Sequence, residues 1–170
     1  MKKRITAIVF ILLLIGSVVW MITEGTKPEV LPLGSKLPRI NISTQNGIKT
    51  ITETNEKLLI IFFSKDCPHC KYELSVLDEN IEKLKEIKIY LITYDKNFLN
   101  SEDINVYQNL LESKNVTFGI VDKEEYKTKF GIIVTPSLYF FINGKLTAKL
   151  KGETKFERIL SELKIENGEL

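Results

Sequence analysis

The chain has 170 residues, of which 44% are hydrophobic and 27% are charged, values typical of one globular domain with a short appendage. Its net charge of +2 depends on Lys2, Lys3 and Arg4, because without them 21 basic residues face 22 acidic ones. That near balance leaves no basic surface for nucleic acid, so we predict no nucleic-acid partner.

The N-terminal residues have the pattern of a membrane segment. Residues 2–4 are basic, and residues 5–22 carry no charge and are mostly Ile, Leu and Val. This pattern predicts a single-pass signal anchor in the cell membrane, with residues 1–4 in the cytoplasm and the domain in the bacterial periplasm or on the outer face. A cleaved signal peptide is the alternative, although the run ends in bulky residues and not in the small ones of a cleavage site.

Residues 23–36 are predicted to be a linker between this anchor and the domain. They are largely polar and include two glycines and two prolines. Fully extended, the linker would reach about 45 Å from the membrane. The domain is predicted to occupy residues 37–166, followed by a tail at residues 167–170.

The first half of the domain predicts two strands, a central strand and a helix. Residues 37–43 and 48–52 flank the turn sequence Gln45-Asn46-Gly47, which is typical of an edge hairpin. Residues 57–64 are almost continuously apolar, as in a strand that is buried on both faces. The following helix has Pro68 in its first turn and an apolar face with helical spacing, formed by Leu74, Leu77, Ile81 and Leu84.

The next segment predicts a strand at residues 87–94 and a loop at residues 97–103. A helix is expected at residues 104–114, with Val106, Leu110 and Leu111 facing the core. A third strand is expected at residues 116–121.

The last part of the chain predicts two helices and a hairpin. A helix should begin at Asp122 and end at Gly131. Asn143-Gly144 lies between two apolar runs and predicts a hairpin. Thr154 and Glu157 have the spacing of a capping box for a last helix, whose apolar face comprises Phe156, Ile159, Leu160 and Leu163.

Both cysteines and the only histidine lie within four residues, between the apolar strand and the first helix of the domain. A Cys-x-x-Cys pair at such a junction is typical of thiol–disulfide chemistry. The helix N-terminus should favour a thiolate at Cys67, and Cys70 should be more buried, one turn further along. His69 lies inside the motif and Lys71 follows it, so the pattern differs from that of covalent haem attachment.

These residues give the chain a resemblance to the thioredoxin superfamily, and within it to the membrane-anchored ResA/TlpA-like thiol–disulfide oxidoreductases. The resemblance is carried by Cys67-Pro68-His69-Cys70, by Thr135-Pro136 before a glycine-turned hairpin and by the lead-in at residues 34–47, and it covers about residues 34–164. It implies an α/β, thioredoxin-like fold, with a central mixed β-sheet flanked by helices and one N-terminal transmembrane helix before it.

The resemblance also implies roles for the site residues. Cys67 and Cys70 would be catalytic and would form the Cys67–Cys70 disulfide, with Pro68 and His69 tuning it. Thr135 and a cis Pro136 would face the disulfide and bind substrate. Glu73 matches a glutamate of ResA-like members and would tune the pair or carry protons, although an ordinary solvated helix carboxylate is the alternative.

The chain departs from the family pattern at three places. Asp66 stands where many relatives have Trp, and Ile61 stands where cytosolic thioredoxins bury an acid. The Pro68-His69 dipeptide is the one found in DsbA-type oxidases, whereas Glu73 is typical of ResA-like proteins. The two features therefore favour opposite directions of electron flow.

From this pattern we predict an extracytoplasmic thiol–disulfide oxidoreductase. Its partners would be exported thiol- or disulfide-containing proteins such as apocytochrome c, together with a membrane thiol–disulfide electron donor or acceptor. A reductase of the cytochrome c maturation type is favoured, and a DsbA-like thiol oxidase is the alternative. A metal-delivery module is a remote third class, because the only histidine lies inside the motif. We predict no bound cofactor and no metal site.

Overall fold

The computed structural model describes residues 2–25, 30–52, 56–131 and 134–165. Within these ranges seven strands form one sheet in the order β2-β1-β5-β4-β3-β6-β7. The strands are β1 (Ile40–Thr44), β2 (Gly47–Ile51), β3 (Leu58–Phe62), β4 (Lys88–Thr93), β5 (Val116–Ile120), β6 (Ser137–Ile142) and β7 (Lys145–Lys151). The helices are α1 (Lys2–Gly25), α2 (Pro68–Glu79), α3 (Gln108–Glu112), α4 (Lys123–Phe130) and α5 (Phe156–Glu162).

Strand β3 lies inside the sheet, parallel to β4 on one side and antiparallel to β6 on the other. All five of its residues are buried. The register pairs Phe62 with Ser137, so the end of β3 lies beside the residue that follows Pro136. The predicted α/β architecture with a central mixed sheet is confirmed.

The two faces of the sheet are covered by separate apolar clusters, because successive side chains of a strand point to opposite faces. Leu59 and Ile61 of β3 pack in one cluster with apolar residues of α2, α3 and α5. Leu58 and Ile60 pack in the other cluster with residues of α4 and of the lead-in to β1. The sheet is therefore a middle layer between helices. Both faces of β3 are buried, which explains why its sequence is continuously apolar.

Three local predictions are confirmed by the turns and caps. The edge hairpin forms as β1 and β2. Asp122 caps α4 by accepting hydrogen bonds from the N–H groups of Glu124 and Glu125, and Gly131 ends that helix with φ of 93°. Asn143 and Gly144 have φ of 52° and 72°, the left-handed conformation that a two-residue hairpin turn requires.

The predicted helix at residues 104–114 is wrong in extent and in its buried face. The segment instead forms a 3₁₀ helix at Glu102–Val106, followed by the short α3. The tighter 3₁₀ turn changes the direction of the side chains, so that Val106 is 69% exposed and Leu111 is 39% exposed. Leu110 is buried as predicted. Another 3₁₀ turn, Phe98–Asn100, lies within the predicted loop before this segment.

The helix after the cysteines ends earlier than its apolar spacing predicts. It stops at Glu79, and a 3₁₀ turn at Ile81–Leu84 follows. The predicted apolar face is nevertheless buried as a whole.

The predicted capping box at the last helix is also wrong. Helix α5 begins at Phe156, and its N-cap residue is Lys155, whose side chain makes no capping hydrogen bond. The Thr154 hydroxyl donates to the carbonyl of Gly152, 3.2 Å away. Its backbone N–H donates to Glu73. Thr154 therefore binds α2 through its backbone N–H and does not cap α5.

Part of the predicted linker packs on the domain. Gly34 donates its N–H to the Leu146 carbonyl and Ser35 accepts from the Leu146 N–H, both at 2.8 Å. Leu31 is 5% exposed, and its carbonyl accepts a hydrogen bond from the Lys149 ammonium. The segment from Leu31 to Lys36, here called the strap, therefore lies along β7.

The N-terminal run forms helix α1, and its large apolar side chains between Val9 and Met21 are exposed. In the parts of the chain that the structure describes, no helix meets the length and hydropathy needed for a membrane span. The predicted tail at residues 167–170 lies outside the described residues.

Candidate active site

The Cys-x-x-Cys motif lies where β3 passes into α2. Cys67 is the N-cap of α2, with extended backbone dihedrals, and Pro68 takes the first helical position. Proline suits that position because its missing N–H would have no partner in the helix. The N–H groups of Cys70 and Lys71 both donate to the Cys67 carbonyl at 3.1 Å. The local sequence thus fixes Cys67 at the amino end of the helix, as predicted.

The Cys67 thiol is partly exposed and contacts the loop before β6. It donates a hydrogen bond to the Thr135 carbonyl across 3.6 Å. Burial acts to raise the pKa of Cys67, but hydrogen bonds from the Cys70 thiol and from the backbone N–H groups of Cys70 and His69 outweigh it. The pKa of Cys67 therefore lies below its ordinary value, which favours the nucleophilic thiolate.

The Cys70 thiol is in a different environment, with only 1% of the residue exposed. Its sulfur accepts a hydrogen bond from the Ser64 N–H at 3.4 Å. Burial raises the pKa of Cys70 to about 12. Both thiols are free in this structure. The pair therefore consists of an accessible acidic thiol and a buried thiol that stays protonated.

Glu73 is also buried, with 1% of the residue exposed. Its carboxylate accepts a hydrogen bond from the Thr154 N–H at 2.8 Å. Burial raises the pKa of Glu73 to about 7, against the effect of that hydrogen bond, and the charge of Glu153 adds to the rise. The alternative of a solvated helix carboxylate does not describe this residue, which lies one turn after Cys70 on the buried side of α2.

His69 projects from the motif into solvent, with 67% of its side chain exposed. Its Nδ1 atom lies 2.9 Å from the Glu153 carboxylate. The sequence predicts that His69 assists the Cys67 thiolate. In the structure the backbone N–H of His69 stabilises the Cys67 thiolate, whereas the imidazole ring of His69 contacts the Glu153 carboxylate.

The peptide bond between Thr135 and Pro136 is cis, as the family resemblance implies. The Thr135 carbonyl faces Cys67, and the Pro136 carbonyl accepts a hydrogen bond from the Gly152 N–H at 2.8 Å. The structure thus brings both substrate-binding candidates to the motif.

Residues that the sequence did not single out complete the site. Gly152, Glu153 and Thr154 each contact a different part of it, although they are distant in sequence from the motif. The only sequence signal in these three residues was the capping-box spacing that begins at Thr154, and it predicted a helix cap and not a contact with the site. Such long-range contacts depend on the pairing of β3 with β6, which brings the β6–β7 hairpin beside the motif and which no local pattern specifies.

Two positions that depart from the family pattern, Ile61 and Asp66, lie in the core and on the surface respectively. Ile61 is fully buried in the core, so the strand offers no proton acceptor there. Asp66 is exposed, and its carboxylate lies 3.0 Å from the Lys65 ammonium. Phe62 and Phe63 are buried as core residues.

Beside the motif is a small cavity of about 180 Å³, on the side of Lys71. Phe63, Phe98 and Lys65 are among the residues that line it. Among the residues that the structure describes, no three His, Cys, Asp or Glu side chains lie close enough together to hold a metal ion. The groups at the site that can react are the two thiols and the buried carboxyl group of Glu73.

Comparison with known proteins identifies similar folds. A family model of thioredoxin-like domains matches residues 44–165. A peroxiredoxin-like protein from Aquifex aeolicus has a TM-score of 0.66 and 17% identity, over 81% of this chain and 88% of that one. A thio-disulfide isomerase from Thermus thermophilus has a TM-score of 0.60 and 18% identity, over 82% and 100%. StoA from Bacillus subtilis has a TM-score of 0.51 and 20% identity, over 74% and 96%. No curated protein sequence matches the chain.

Proposed function

The chain belongs to the thioredoxin-like domain family, and from that premise we propose that it is a thiol–disulfide oxidoreductase that works outside the cytoplasm as a reductase of protein disulfides. The observation that carries the proposed disulfide exchange is the contrast between the two thiols. Cys67 is accessible and has a lowered pKa, whereas Cys70 is buried and has a raised one. Cys67 is therefore suited to attack a partner disulfide, and Cys70 is suited to resolve the mixed disulfide afterwards.

The reaction transfers two electrons and two protons from the dithiol to a partner. The Cys67 thiolate attacks one sulfur of the partner disulfide, so a mixed disulfide forms and the other partner sulfur leaves and takes up a proton. Cys70 then loses its proton and attacks Cys67. The mixed disulfide breaks, the second partner sulfur leaves as a thiol, and the Cys67–Cys70 disulfide remains.

Glu73 is the group that takes the proton of Cys70 in this proposal. A thiol with a pKa of about 12 needs a base, and a carboxyl group with a pKa of about 7 is suited to accept and release a proton near neutral pH. The backbone around Thr135 would meanwhile pair with an extended partner segment, strand to strand.

The direction of electron flow is the finer part of the proposal. The buried Glu73 supports a reductase, for which apocytochrome c or similar exported disulfide-containing proteins are the partners. A reductase also needs electrons from a membrane thiol–disulfide donor. Pro68-His69 supports the alternative, a thiol oxidase that inserts disulfides and is reoxidised by a membrane acceptor.

The proposed compartment rests on the N-terminal sequence. Residues 5–22 are the proposed anchor, with residues 1–4 in the cytoplasm and the domain outside the cell membrane. Carbonate extraction of membranes should leave the full chain in the pellet and release a chain that lacks residues 1–22. Extraction of the full chain into the supernatant would contradict the anchor.

A trapping experiment tests the exchange itself. In the Cys70→Ser variant the mixed disulfide cannot be resolved, so partners should accumulate on Cys67 and separate when a reductant is added. The Cys67→Ser variant is the matched control and should trap far less, because its remaining thiol is buried. Absence of any mixed disulfide in the Cys70→Ser variant would contradict exchange with proteins.

A further inference from the structure

The loop between β7 and α5 contacts three parts of the active site through three consecutive residues, Gly152, Glu153 and Thr154, here called the bridging loop. Gly152 donates to the Pro136 carbonyl at 2.8 Å. Glu153 lies 2.9 Å from the His69 ring, and Thr154 donates to Glu73 at 2.8 Å. The reaction described above gives none of these three residues a role.

Glu153 is held from both sides. The backbone of Gly152 is tied to the loop of Pro136, and the backbone of Thr154 is tied to the buried carboxylate of Glu73. The backbone is therefore fixed on both sides of Glu153, and from that position its carboxylate contacts the His69 ring. A side chain on such a backbone loses less entropy when it forms a contact than one on a free loop does.

The contact with Glu153 weakens the stabilisation that the His69 ring could give to the Cys67 thiolate. A cation beside a cysteine stabilises its thiolate and so stabilises the reduced form of a disulfide couple. An imidazolium paired with a carboxylate has no net charge, so its field at Cys67 is weaker than that of a lone cation. The Nδ1 atom is also engaged by Glu153 and is not free to donate to sulfur.

We propose that Glu153 is a positioning residue that holds the His69 ring on the bridging loop, away from the Cys67 sulfur, and compensates the positive charge of the ring whenever it is protonated. It thereby keeps this couple more reducing than its Pro-His dipeptide would otherwise make it. The inference rests on the proposed thiol–disulfide exchange and deepens it. It accounts for a reductase that carries the dipeptide of an oxidase.

The test is a double-mutant cycle on the equilibrium constant with glutathione. The four proteins are the wild type, Glu153→Gln, His69→Gln and the double variant. Glu153→Gln should shift the equilibrium about 2- to 5-fold toward the reduced form, in line with an exposed ion pair. That change corresponds to a potential higher by ~10 to 20 mV. In the His69→Gln background the same substitution should shift the equilibrium less, because only the direct effect of the Glu153 charge on Glu73 and Cys67 then remains.

A control substitution is available on the next helix. Glu157 is exposed in the first turn of α5 and has the same charge, so Glu157→Gln should leave the equilibrium constant unchanged. The ultraviolet absorbance of the Cys67 thiolate gives a second readout, because Glu153→Gln should lower the pKa of Cys67 more when His69 is present than in the His69→Gln background. Melting curves of all variants should superimpose.

Three results would count against the inference, and they can be told apart. An equal shift in both backgrounds would mean that Glu153 acts through its own charge and not through His69. No shift from Glu153→Gln in the wild-type background would mean that Glu153 does not restrain the ring. A wild-type protein that fails to exchange with glutathione at all would overturn the proposed function, and this inference with it.

Discussion

At the scale of single residues, the two cysteines differ sharply in environment although one helical turn separates them. In the reduced protein at neutral pH, iodoacetamide should alkylate the Cys70→Ser variant, through Cys67, on the order of 100-fold faster than the Cys67→Ser variant, through Cys70, because alkylation requires a thiolate. Mass spectrometry of quenched time points measures both rates. In denaturant the two rates should converge, and equal rates in the folded protein would contradict the assignment.

The buried carboxyl group of Glu73 should make stability depend on pH. Its pKa is raised from 4.5 to about 7, so between these values the folded chain binds more protons than the unfolded chain, and stability falls as pH rises. Glu73→Gln removes this loss and keeps an acceptor for the Thr154 N–H.

Relative to the wild type, the free energy of unfolding of Glu73→Gln should increase by about 3 kcal/mol between about pH 4 and about pH 8. Denaturant titrations at the two pH values measure it. A difference between the two proteins that does not change with pH would mean that Glu73 ionises normally in the folded chain.

The sequence identified the residues of the motif more readily than their partners. Cys67 and Cys70 follow from their spacing, and Pro136 and Glu73 follow from their positions relative to a known family. The partner of His69 could not be predicted, because Glu153 is 84 residues away and looks like any exposed acid. A local sequence pattern predicts the conformation of its own segment of backbone, whereas the contact between His69 and Glu153 depends on how the strands pair in the sheet.

At the scale of elements, the strap is the clearest addition to the expected fold. Leu31→Ala should lower the free energy of unfolding by about 2 to 3 kcal/mol, because it removes a buried side chain from the cluster under β7. Leu33→Ala is the matched control in the same segment, since Leu33 is exposed, and it should cost less than about 0.5 kcal/mol. Chemical denaturation compares the two. Equal costs would show that the strap does not pack on the domain in solution.

Elements with local signals were predictable, and those without them were not. The Asn143-Gly144 hairpin and the start of α4 at Asp122 depend on residues next to one another. The segment at residues 104–114 has suitable apolar spacing, but tertiary packing selects a 3₁₀ turn there and moves Val106 to the surface. Thr154 likewise matches a capping pattern but is bound by Glu73 instead.

At the scale of the whole molecule, the strap changes the reach of the domain. The attachment point is Leu31 and not the end of the predicted linker. Between the end of α1 at Gly25 and Leu31 the chain can span at most about 20 Å. In the proposed membrane setting this is well below the expected 45 Å, so the domain would be held closer to the membrane surface than the linker length predicts.

The redox state of the Cys67–Cys70 pair in its native cell tests the central claim most directly. Cells are quenched in acid, and free thiols are tagged with a maleimide of high mass before electrophoresis. The double variant Cys67→Ser/Cys70→Ser is the blank, because the chain has two cysteines. A reductase predicts a mostly reduced pool that becomes oxidised when the membrane electron donor is removed. A pool that is mostly oxidised in unperturbed cells would contradict the account.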